Sequence, residues 1–154
     1  MEIKIHLAKK GQARDCLLCV KNSDLWDAYF KSNPSHEAAL EEMIKKKQIY
    51  VASNMNGNCV GFIGVIENGC FRKFSYLSIL AVKKRYRGKG VGKALVNKFE
   101  DLGFEKAERI FMLVSDFNKT AQIIYRKFGY KKVGNIPDLY KAGISENLLV
   151  KYKI

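Results

Sequence analysis

The spacing of apolar residues divides this chain into short strands and helices. Alternating or uninterrupted apolar runs predict strands at residues 2–8, 48–54, 59–67, 74–82, 109–115, 130–134 and 146–154. Apolar residues that recur every three or four positions predict helices at residues 12–22, 33–47, 91–103 and 118–129. Asn33 or Ser35 is expected to cap the second helix, while Gly103 and Gly129 are expected to end the last two. The order β-α-α-β-β-β-α-β-α-β-β predicts a mixed α/β domain.

Composition supports a single folded domain. The chain has 154 residues, of which 47% are hydrophobic and 28% charged, so it can bury a core. No apolar stretch approaches the roughly 20 residues that span a bilayer, and the first residues lack the apolar core of a secretory signal. We therefore expect a cytoplasmic protein that does not enter membranes.

The net charge of +13 changes this picture little. Most of the excess is lysine, and it is spread along the chain rather than gathered on one element. Only residues 45–47 and 83–90 form basic clusters. A nucleic-acid partner would require basic side chains along one face, so the pattern favours a solvated lysine-rich surface and one small polyanionic ligand.

The cysteines favour buried, reduced thiols over a metal site. Cys16 and Cys19 form a C-x-x-C pair, but they lie within a helical pattern and no second pair accompanies them. Cys59 begins a predicted strand and Cys70 lies between two predicted strands, and the chain has only two histidines. We expect no metal.

The sequence RGKGVGKAL at residues 87–95 combines glycines and cations at the point where a strand gives way to a helix. A nucleotide P-loop is excluded because the glycine spacing is one residue short and Ala94 occupies the position of the hydroxyl. A dinucleotide fingerprint fails because Lys93 stands at its third glycine. The pattern that does fit is R-x-x-G-x-G, formed by Arg87, Gly90 and Gly92.

This arrangement suits a pyrophosphate. A helix N-terminus offers unpaired N–H groups and a partial positive charge. Gly88, Gly90 and Gly92 allow phosphate oxygens to approach the backbone without hindrance from a Cβ. Arg87, Lys89 and Lys93 add positive charge.

Two segments together resemble the GNAT acetyltransferase superfamily. They are LSILAVKKRYRGKGVGKAL at residues 77–95 and NKTAQIIYRKFGY at residues 118–130. The resemblance implies one N-acetyltransferase domain over residues 1–154, with a mixed, mostly antiparallel α/β sheet of six or seven strands and about four helices. It implies acetyl-CoA as the acetyl donor. The residues implied to bind it are Ile79, Leu80, Ala81, Val82, Arg87, Gly88, Lys89, Gly90, Val91, Gly92, Lys93, Asn118 and Tyr125.

The resemblance also implies a reaction. The family transfers an acetyl group directly to an amine in a ternary complex, and Tyr125 matches the tyrosine that protonates the departing thiolate. Many members carry a glutamate base on the strand before the glycine turn, where this chain has Tyr76 and Ser78. Glu67 is the nearest carboxylate by sequence. We expect a water relay through Tyr76 or Glu67 to remove the proton from the amine.

The acceptor amine is implied to bind between the first helical region and the last loop. Trp26 and Tyr29 are the aromatic candidates for this pocket, although core packing explains them equally well. Asp138 and Tyr140, with Glu146, are the polar candidates for a cationic amine, and Asp138 also fits a plain turn.

Two other functions stay open at this point. A non-catalytic acyl-CoA-binding regulatory module would keep the phosphate turn without needing Tyr125. A nucleic-acid-binding protein would explain the charge, but not its scatter. The acceptor stays open between protein or peptide amines and small-molecule amines, and a homodimer is one option for the oligomeric state.

Overall fold

The computed structural model describes residues 1–154 as seven strands, four α-helices and two short helical turns. The strands are β1 (Lys4–Leu7), β2 (Ile49–Ser53), β3 (Cys59–Cys70), β4 (Phe74–Val82), β5 (Arg109–Ser115), β6 (Lys131–Pro137) and β7 (Ser145–Tyr152). The helices are α1 (Ala13–Val20), α2 (His36–Lys45), α3 (Val91–Lys106) and α4 (Lys119–Lys127). A π-helical turn covers Trp26–Phe30, and a 3₁₀ turn covers Lys84–Tyr86.

The strands form one sheet in the order β1-β2-β3-β4-β5-β7-β6. β1 with β2, β2 with β3, β5 with β7 and β6 with β7 are antiparallel pairs, while β4 and β5 are parallel. The predicted mixed and mostly antiparallel sheet is therefore confirmed. No helix combines the length and apolar character needed to cross a membrane.

The chain divides into two compact units. The first comprises Met1–Val65 and Ile79–Glu100, and the second comprises Ile66–Ser78 and Asp101–Ile154. The core of the first unit is drawn from α1, α2, strands β2 to β4 and the first part of α3. Its largest fully buried side chains are Phe62, Phe99, Ile49, Ile63, Leu95, Val20, Val51, Val60, Val91 and Val96. In the second unit, Ile110 and Met112 of β5 are fully buried.

The predicted end of α3 at Gly103 is wrong, because the helix continues to Lys106. A Cβ at Gly103 would lie 2.4 Å from Cγ2 of Ile110 and 3.3 Å from Cβ of Ser75. The glycine therefore permits close packing within the second unit. It does not end the helix.

Two further expectations need correction. β3 extends beyond residue 67, and its turn falls at Cys70, whose carbonyl oxygen accepts a hydrogen bond from the Lys73 N–H. In α4, the apolar spacing of the sequence predicts that Ile124 shares one side of the helix with Tyr125, but 42% of the Ile124 surface is exposed. Tyr125 is the buried residue of this helix.

Candidate active site

The glycine-rich turn begins where β4 ends. The Lys83 N–H donates to the Val60 carbonyl oxygen at 2.8 Å, which fixes the end of β4 against β3. The 3₁₀ turn follows, and its Tyr86 N–H donates to the Lys83 carbonyl oxygen at 2.9 Å. α3 then begins at Val91, and the first bond of its ladder joins the Ala94 N–H to the Gly90 carbonyl oxygen at 3.1 Å. The amides of residues 91–93 thus precede the ladder, as expected at a helix N-terminus.

Two glycines of the turn have backbone conformations that other residues rarely adopt. Gly88 has φ of +74° and Gly90 has φ of +87°. Apart from the glycine itself and its two neighbours in the chain, no heavy atom lies within 4 Å of the position that a Cβ would occupy at either residue. Gly92 differs, because it lies in α3 and a Cβ there would make only an ordinary contact with Val82 at 3.9 Å. The open space beside Gly88 and Gly90 is the feature that an approaching anion requires.

The start of α3 is held in place by close packing on β3. Val91 and Leu95 are 1% and 0% exposed. A Cβ at Gly61 of β3 would lie 3.2 Å from a methyl group of each and 3.0 Å from the Ala81 carbonyl oxygen. Gly61 therefore allows α3 to approach β3 closely, and this packing orients the N-terminus of the helix.

Arg87 stabilises the turn from within. Its Nε donates to the Val82 carbonyl oxygen at 2.8 Å, and its Nη1 donates to the Asn22 carbonyl oxygen at 3.1 Å. The guanidinium thus connects the end of β4 to the loop after α1. Residues 83–93 include six basic residues, one of which is Arg87, and no acidic residue. The turn therefore carries a strong local positive charge.

The residues of β4 that are predicted to contact the coenzyme are buried or half-buried. Ala81 is 9% exposed, and Ile79, Leu80 and Val82 are half-buried. The parallel register of β4 with β5 comprises Tyr76 opposite Phe111 and Leu77 opposite Met112.

In the second unit, Tyr125 is buried, with 7% of its surface exposed. Its ring meets that of Tyr130 edge-on, with centroids 5.9 Å apart. Burial raises the pKa of Tyr125 above the ordinary value for tyrosine, so the hydroxyl keeps its proton at neutral pH. At the start of the same helix, the Asn118 Oδ1 accepts a hydrogen bond from the Ala121 N–H at 3.3 Å, which makes Asn118 the N-cap.

A polar cluster in the second unit combines residues of β4, β5 and β7 with one residue of the loop before β7. The Ser115 hydroxyl is 2.9 Å and 2.8 Å from the two carboxylate oxygens of Glu146, which is 4% exposed. Burial raises the pKa of Tyr76, and a hydrogen bond with Tyr140 and the nearby Glu146 raise it further. The structure thus brings Tyr76, which was predicted for the proton relay, together with Tyr140 and Glu146, which were predicted for the acceptor pocket, and adds Ser115.

Ser115 was missed by the sequence analysis. It stands directly opposite Glu146 in the antiparallel register of β5 and β7. The cross-strand pairing of a hydroxyl with a carboxylate is the signal that could have found it, but that signal appears only once the register is known.

Two predicted site residues make contacts of a more ordinary kind. Asp138 has φ of +55°, and its Oδ1 accepts a hydrogen bond from the Gly143 N–H at 2.7 Å, so its carboxylate closes the loop between β6 and β7. Glu67 is exposed and lies 3.4 Å from the Lys106 ammonium. Their predicted roles stay predictions.

The aromatic pair proposed for the acceptor pocket lies in the π-helical turn of the first unit. Trp26 and Tyr29 are partly buried against the hydrophobic core. The Lys21 ammonium lies 5.7 Å from the centroid of the Trp26 ring. Trp26 and Phe30 also line a cavity of about 220 Å³ beside the start of α2. Trp26 therefore both packs against the core and contributes to the wall of this cavity.

The comparisons with known proteins agree with this geometry. The sequence profile of the Acetyltransferase (GNAT) family matches residues 22–130. N-alpha-acetyltransferase RimI of Mycobacterium tuberculosis is 28% identical over 94 residues, which cover 60% of this chain and 58% of that protein. The chain spans between about one third and two thirds of the length of the curated relatives it matches.

Solved structures extend the likeness to the whole chain. Ard1 from Thermoplasma volcanium superposes with a TM-score of 0.83 at 19% identity, covering 100% of this chain and 99% of that one. The NatC complex bound to Gag peptide and CoA includes a chain with a TM-score of 0.78 at 18% identity, covered completely in both directions. With the family profile covering more than half of the sequence and the same fold throughout, the chain belongs to the GNAT acetyltransferase family.

Proposed function

We propose that residues 1–154 act as one N-acetyltransferase domain that moves an acetyl group from acetyl-CoA to a primary amine. The observation that carries this proposal is the turn before α3, where two glycines with positive φ, a helix N-terminus and a basic segment occur together. Membership of the GNAT family supports the same assignment.

The coenzyme would be held mainly through the backbone. The amides of residues 88–93 would donate to the pyrophosphate, and Lys89 and Lys93 would supply charge. Lys83, Lys84 or Arg85 would meet the 3′-phosphate. Arg87 would act chiefly on the shape of the turn, because two of its N–H groups already bond to carbonyl oxygens.

Residues 79–82 of β4 would pair with the pantetheine arm as an added strand does. Acetyl-CoA, when bound, supplies the thioester that the amine attacks. The Leu80 N–H would donate to the thioester oxygen as negative charge develops there. Asn118 would contact the pantetheine side of the coenzyme.

Tyr125 would protonate the leaving thiolate. A tyrosine is protonated at neutral pH even at its ordinary pKa of about 10, and burial raises the pKa of Tyr125 further, so the phenol holds the proton that a general acid must supply. The proton moves from the phenol oxygen to the coenzyme sulfur, and solvent then reprotonates Tyr125.

The route by which the amine loses its proton involves Tyr76. Because the pKa of Tyr76 is raised, its hydroxyl stays protonated at neutral pH, so it can only relay a proton by passing its own to a further acceptor as it receives another. Glu146 is the buried carboxylate beside it, while Glu67 is exposed and paired with Lys106. We infer that Glu146 is a better acceptor than Glu67.

This inference is tested by Glu146→Gln with Glu67→Gln as the matched control. We expect kcat at neutral pH to fall about tenfold or more in the first variant and to change less than twofold in the second. Circular dichroism and the midpoint of urea unfolding establish that both variants are folded. Equal losses in the two variants would contradict the assignment.

An α-amine of a peptide is the acceptor that the comparisons favour, since the RimI relative is named as an N-alpha-acetyltransferase. An α-amine with pKa near 8 loses its proton at pH 7 at a cost of about 1.4 kcal/mol, whereas a lysine amine costs about 4.6 kcal/mol. Trp26, Tyr29, Asp138 and Tyr140 are the residues we propose to line the acceptor pocket. We propose a cytoplasmic location, in keeping with four free cysteines.

The decisive experiment follows CoA release with a panel of amines. N-terminal peptides, lysine peptides, polyamines and aminoglycosides are compared at equal concentration, and acetyl-CoA binding is measured in parallel by calorimetry. We expect turnover with at least one amine. Binding without turnover on any amine would favour an acyl-CoA-binding regulatory module, and absence of binding would overturn the proposal.

A further inference from the structure

Three cysteines form a buried cluster in the first unit that the proposed acetyl transfer does not use. Cys16 and Cys19 lie on α1 and are 0% exposed, while Cys59 begins β3 and is 4% exposed. The Sγ atoms of Cys19 and Cys59 are 3.7 Å apart. All of these thiols are free. The third cysteine of the cluster, Cys59, thus comes from a strand and lies forty positions after Cys19 in the chain.

The three thiols are not equivalent. Hydrogen bonds from the Cys16 and Cys19 thiols lower the pKa of Cys59, and the Lys83 ammonium lowers it further, although burial opposes the shift. The hydrogen bond to Cys59, together with burial, raises the pKa of Cys16 and of Cys19, and Asp15 adds to both shifts. These opposite pKa shifts favour Cys59 as the first of the three thiols to lose its proton. When protonated, Cys59 lies 3.7 Å from the Gly61 carbonyl oxygen, to which it can donate.

Cys59 is also the member of the cluster that lines a cavity. The cavity has a volume of about 240 Å³, large compared with the roughly 30 Å³ that one water occupies in the liquid. Lys83 and Arg85 contribute positive charge to its wall, and Asp15 contributes negative charge. A small polar oxidant therefore has room beside Cys59, the residue whose thiol has the lowered pKa.

We propose that Cys59 is a peroxide-reactive thiol and that Cys19 is its resolving partner. The proposal rests on the 3.7 Å sulfur separation and on the cavity that reaches Cys59. It does not depend on the acetyltransferase assignment. Cys19 is the expected partner because its sulfur has less than 2 Å to travel to reach an S–S bond of about 2.05 Å.

The chemistry consumes one molecule of hydrogen peroxide. The Cys59 thiolate attacks a peroxide oxygen, the O–O bond breaks, and hydroxide leaves and is protonated to water, so that Cys59 becomes a sulfenic acid. The Cys19 sulfur then attacks the Cys59 sulfur, an S–S bond forms and the S–O bond breaks. The second water leaves with the proton of the Cys19 thiol. The two sulfurs together lose two electrons, and the peroxide gains two.

The test uses the full chain, fully reduced and then treated with one equivalent of hydrogen peroxide. Remaining thiols are blocked with N-ethylmaleimide, and the intact mass is measured. We expect two of the four thiols to be protected and the protein mass to fall by two hydrogen atoms before blocking. Because Cys59 and Cys70 lie on one tryptic peptide, the mapping is performed in a Cys70→Ser background.

Three variants identify the partners. Cys59→Ser is expected to abolish the protection, while Cys70→Ser, as the matched control, is expected to retain it. Cys19→Ser is expected to stop the reaction at the sulfenic acid, which dimedone traps at Cys59. Dimedone labelling of the wild-type chain early in the reaction gives the same information without a substitution in the core.

The outcomes separate cleanly. Protection that persists in Cys59→Ser, or dimedone labelling at Cys70 instead of Cys59, would overturn the proposal. Absence of protection in the wild-type chain after one equivalent of peroxide would overturn it as well. In the Cys70→Ser chain, fragmentation of the tryptic peptide 15–21 distinguishes Cys16 from Cys19, and a protected pair of Cys16 and Cys59 would overturn the assignment of Cys19 as the resolving thiol.

Discussion

Glycines at the two ends of α3 serve opposite purposes. Before the helix, Gly88 and Gly90 have positive φ. Apart from each glycine and its two chain neighbours, no heavy atom lies within 4 Å of the position that a Cβ would occupy. Near its end, Gly103 is confined so closely that a Cβ would lie 2.4 Å from an Ile110 methyl group. Removing the first kind of glycine should impair ligand binding, whereas removing the second kind should impair folding.

The largest expected effect follows from Gly90→Val. A valine side chain would occupy the space proposed for the pyrophosphate. Because valine is branched at Cβ, its backbone also resists positive φ. We expect affinity for acetyl-CoA to fall about a hundredfold, or about 2.7 kcal/mol, by calorimetry. Gly11→Val is the matched control, because Gly11 also has positive φ and open surroundings. If both variants lose affinity equally, backbone strain and not the ligand site explains the loss.

Gly103→Ala should show the reverse. Alanine has a better helix propensity than glycine, which would stabilise the folded state by about 1 kcal/mol. The steric clash with buried Ile110 should outweigh this stabilisation. We expect a net loss of about 2 kcal/mol in the free energy of unfolding, measured in urea. In Gly134→Ala the nearest contact is an ordinary 3.9 Å to Leu148, so a much smaller change is expected. A stabilised Gly103→Ala variant would mean that Ile110 moves aside easily.

Tyr125→Phe separates a catalytic role of a side chain from its role in packing. The ring and its packing on Tyr130 remain, but the proton donor is lost. We expect kcat to fall about tenfold or more, equivalent to about 1.4 kcal/mol, while acetyl-CoA affinity changes little. Tyr130→Phe removes the hydroxyl from the neighbouring buried ring and serves as the control. Unchanged turnover in Tyr125→Phe would remove the general-acid role.

The smallest effect concerns helix caps. Asn118→Ala should cost about 1 kcal/mol of stability in the absence of coenzyme, because its side chain caps α4. Ser35→Ala should cost almost nothing, since Ser35 precedes α2 without a side-chain cap. Urea unfolding of the two variants provides the comparison, and an equal cost for both would contradict the observed cap geometry.

The sequence predicted much of the fold because its strongest patterns are local. Both β4 and β5 have the predicted bounds, since an unbroken apolar run has few alternatives to a buried strand. Gly103 was misread because a glycine that ends a helix and one that permits close packing look alike in a sequence. The neighbour that distinguishes them, Ile110, lies on the following strand.

The candidate site was predictable only in its backbone-built part. The turn at residues 87–93 is contiguous, so its chemistry can be read from one segment. The pairing of Ser115 with Glu146 depends on the register of two strands separated by 31 positions along the chain. No local sequence pattern contains that register. The burial of the Glu146 carboxylate depends on the same register, so it could not be predicted either.

The two hydrogen bonds of Arg87 to carbonyl oxygens have a kinetic consequence. Since they join the loop after α1 to the end of β4, the turn has its shape before a coenzyme arrives, and association should require no slow ordering step. A lysine at this position would keep the charge but could not span both carbonyls with a planar fork. Its signature would be a slower association rate in stopped-flow mixing.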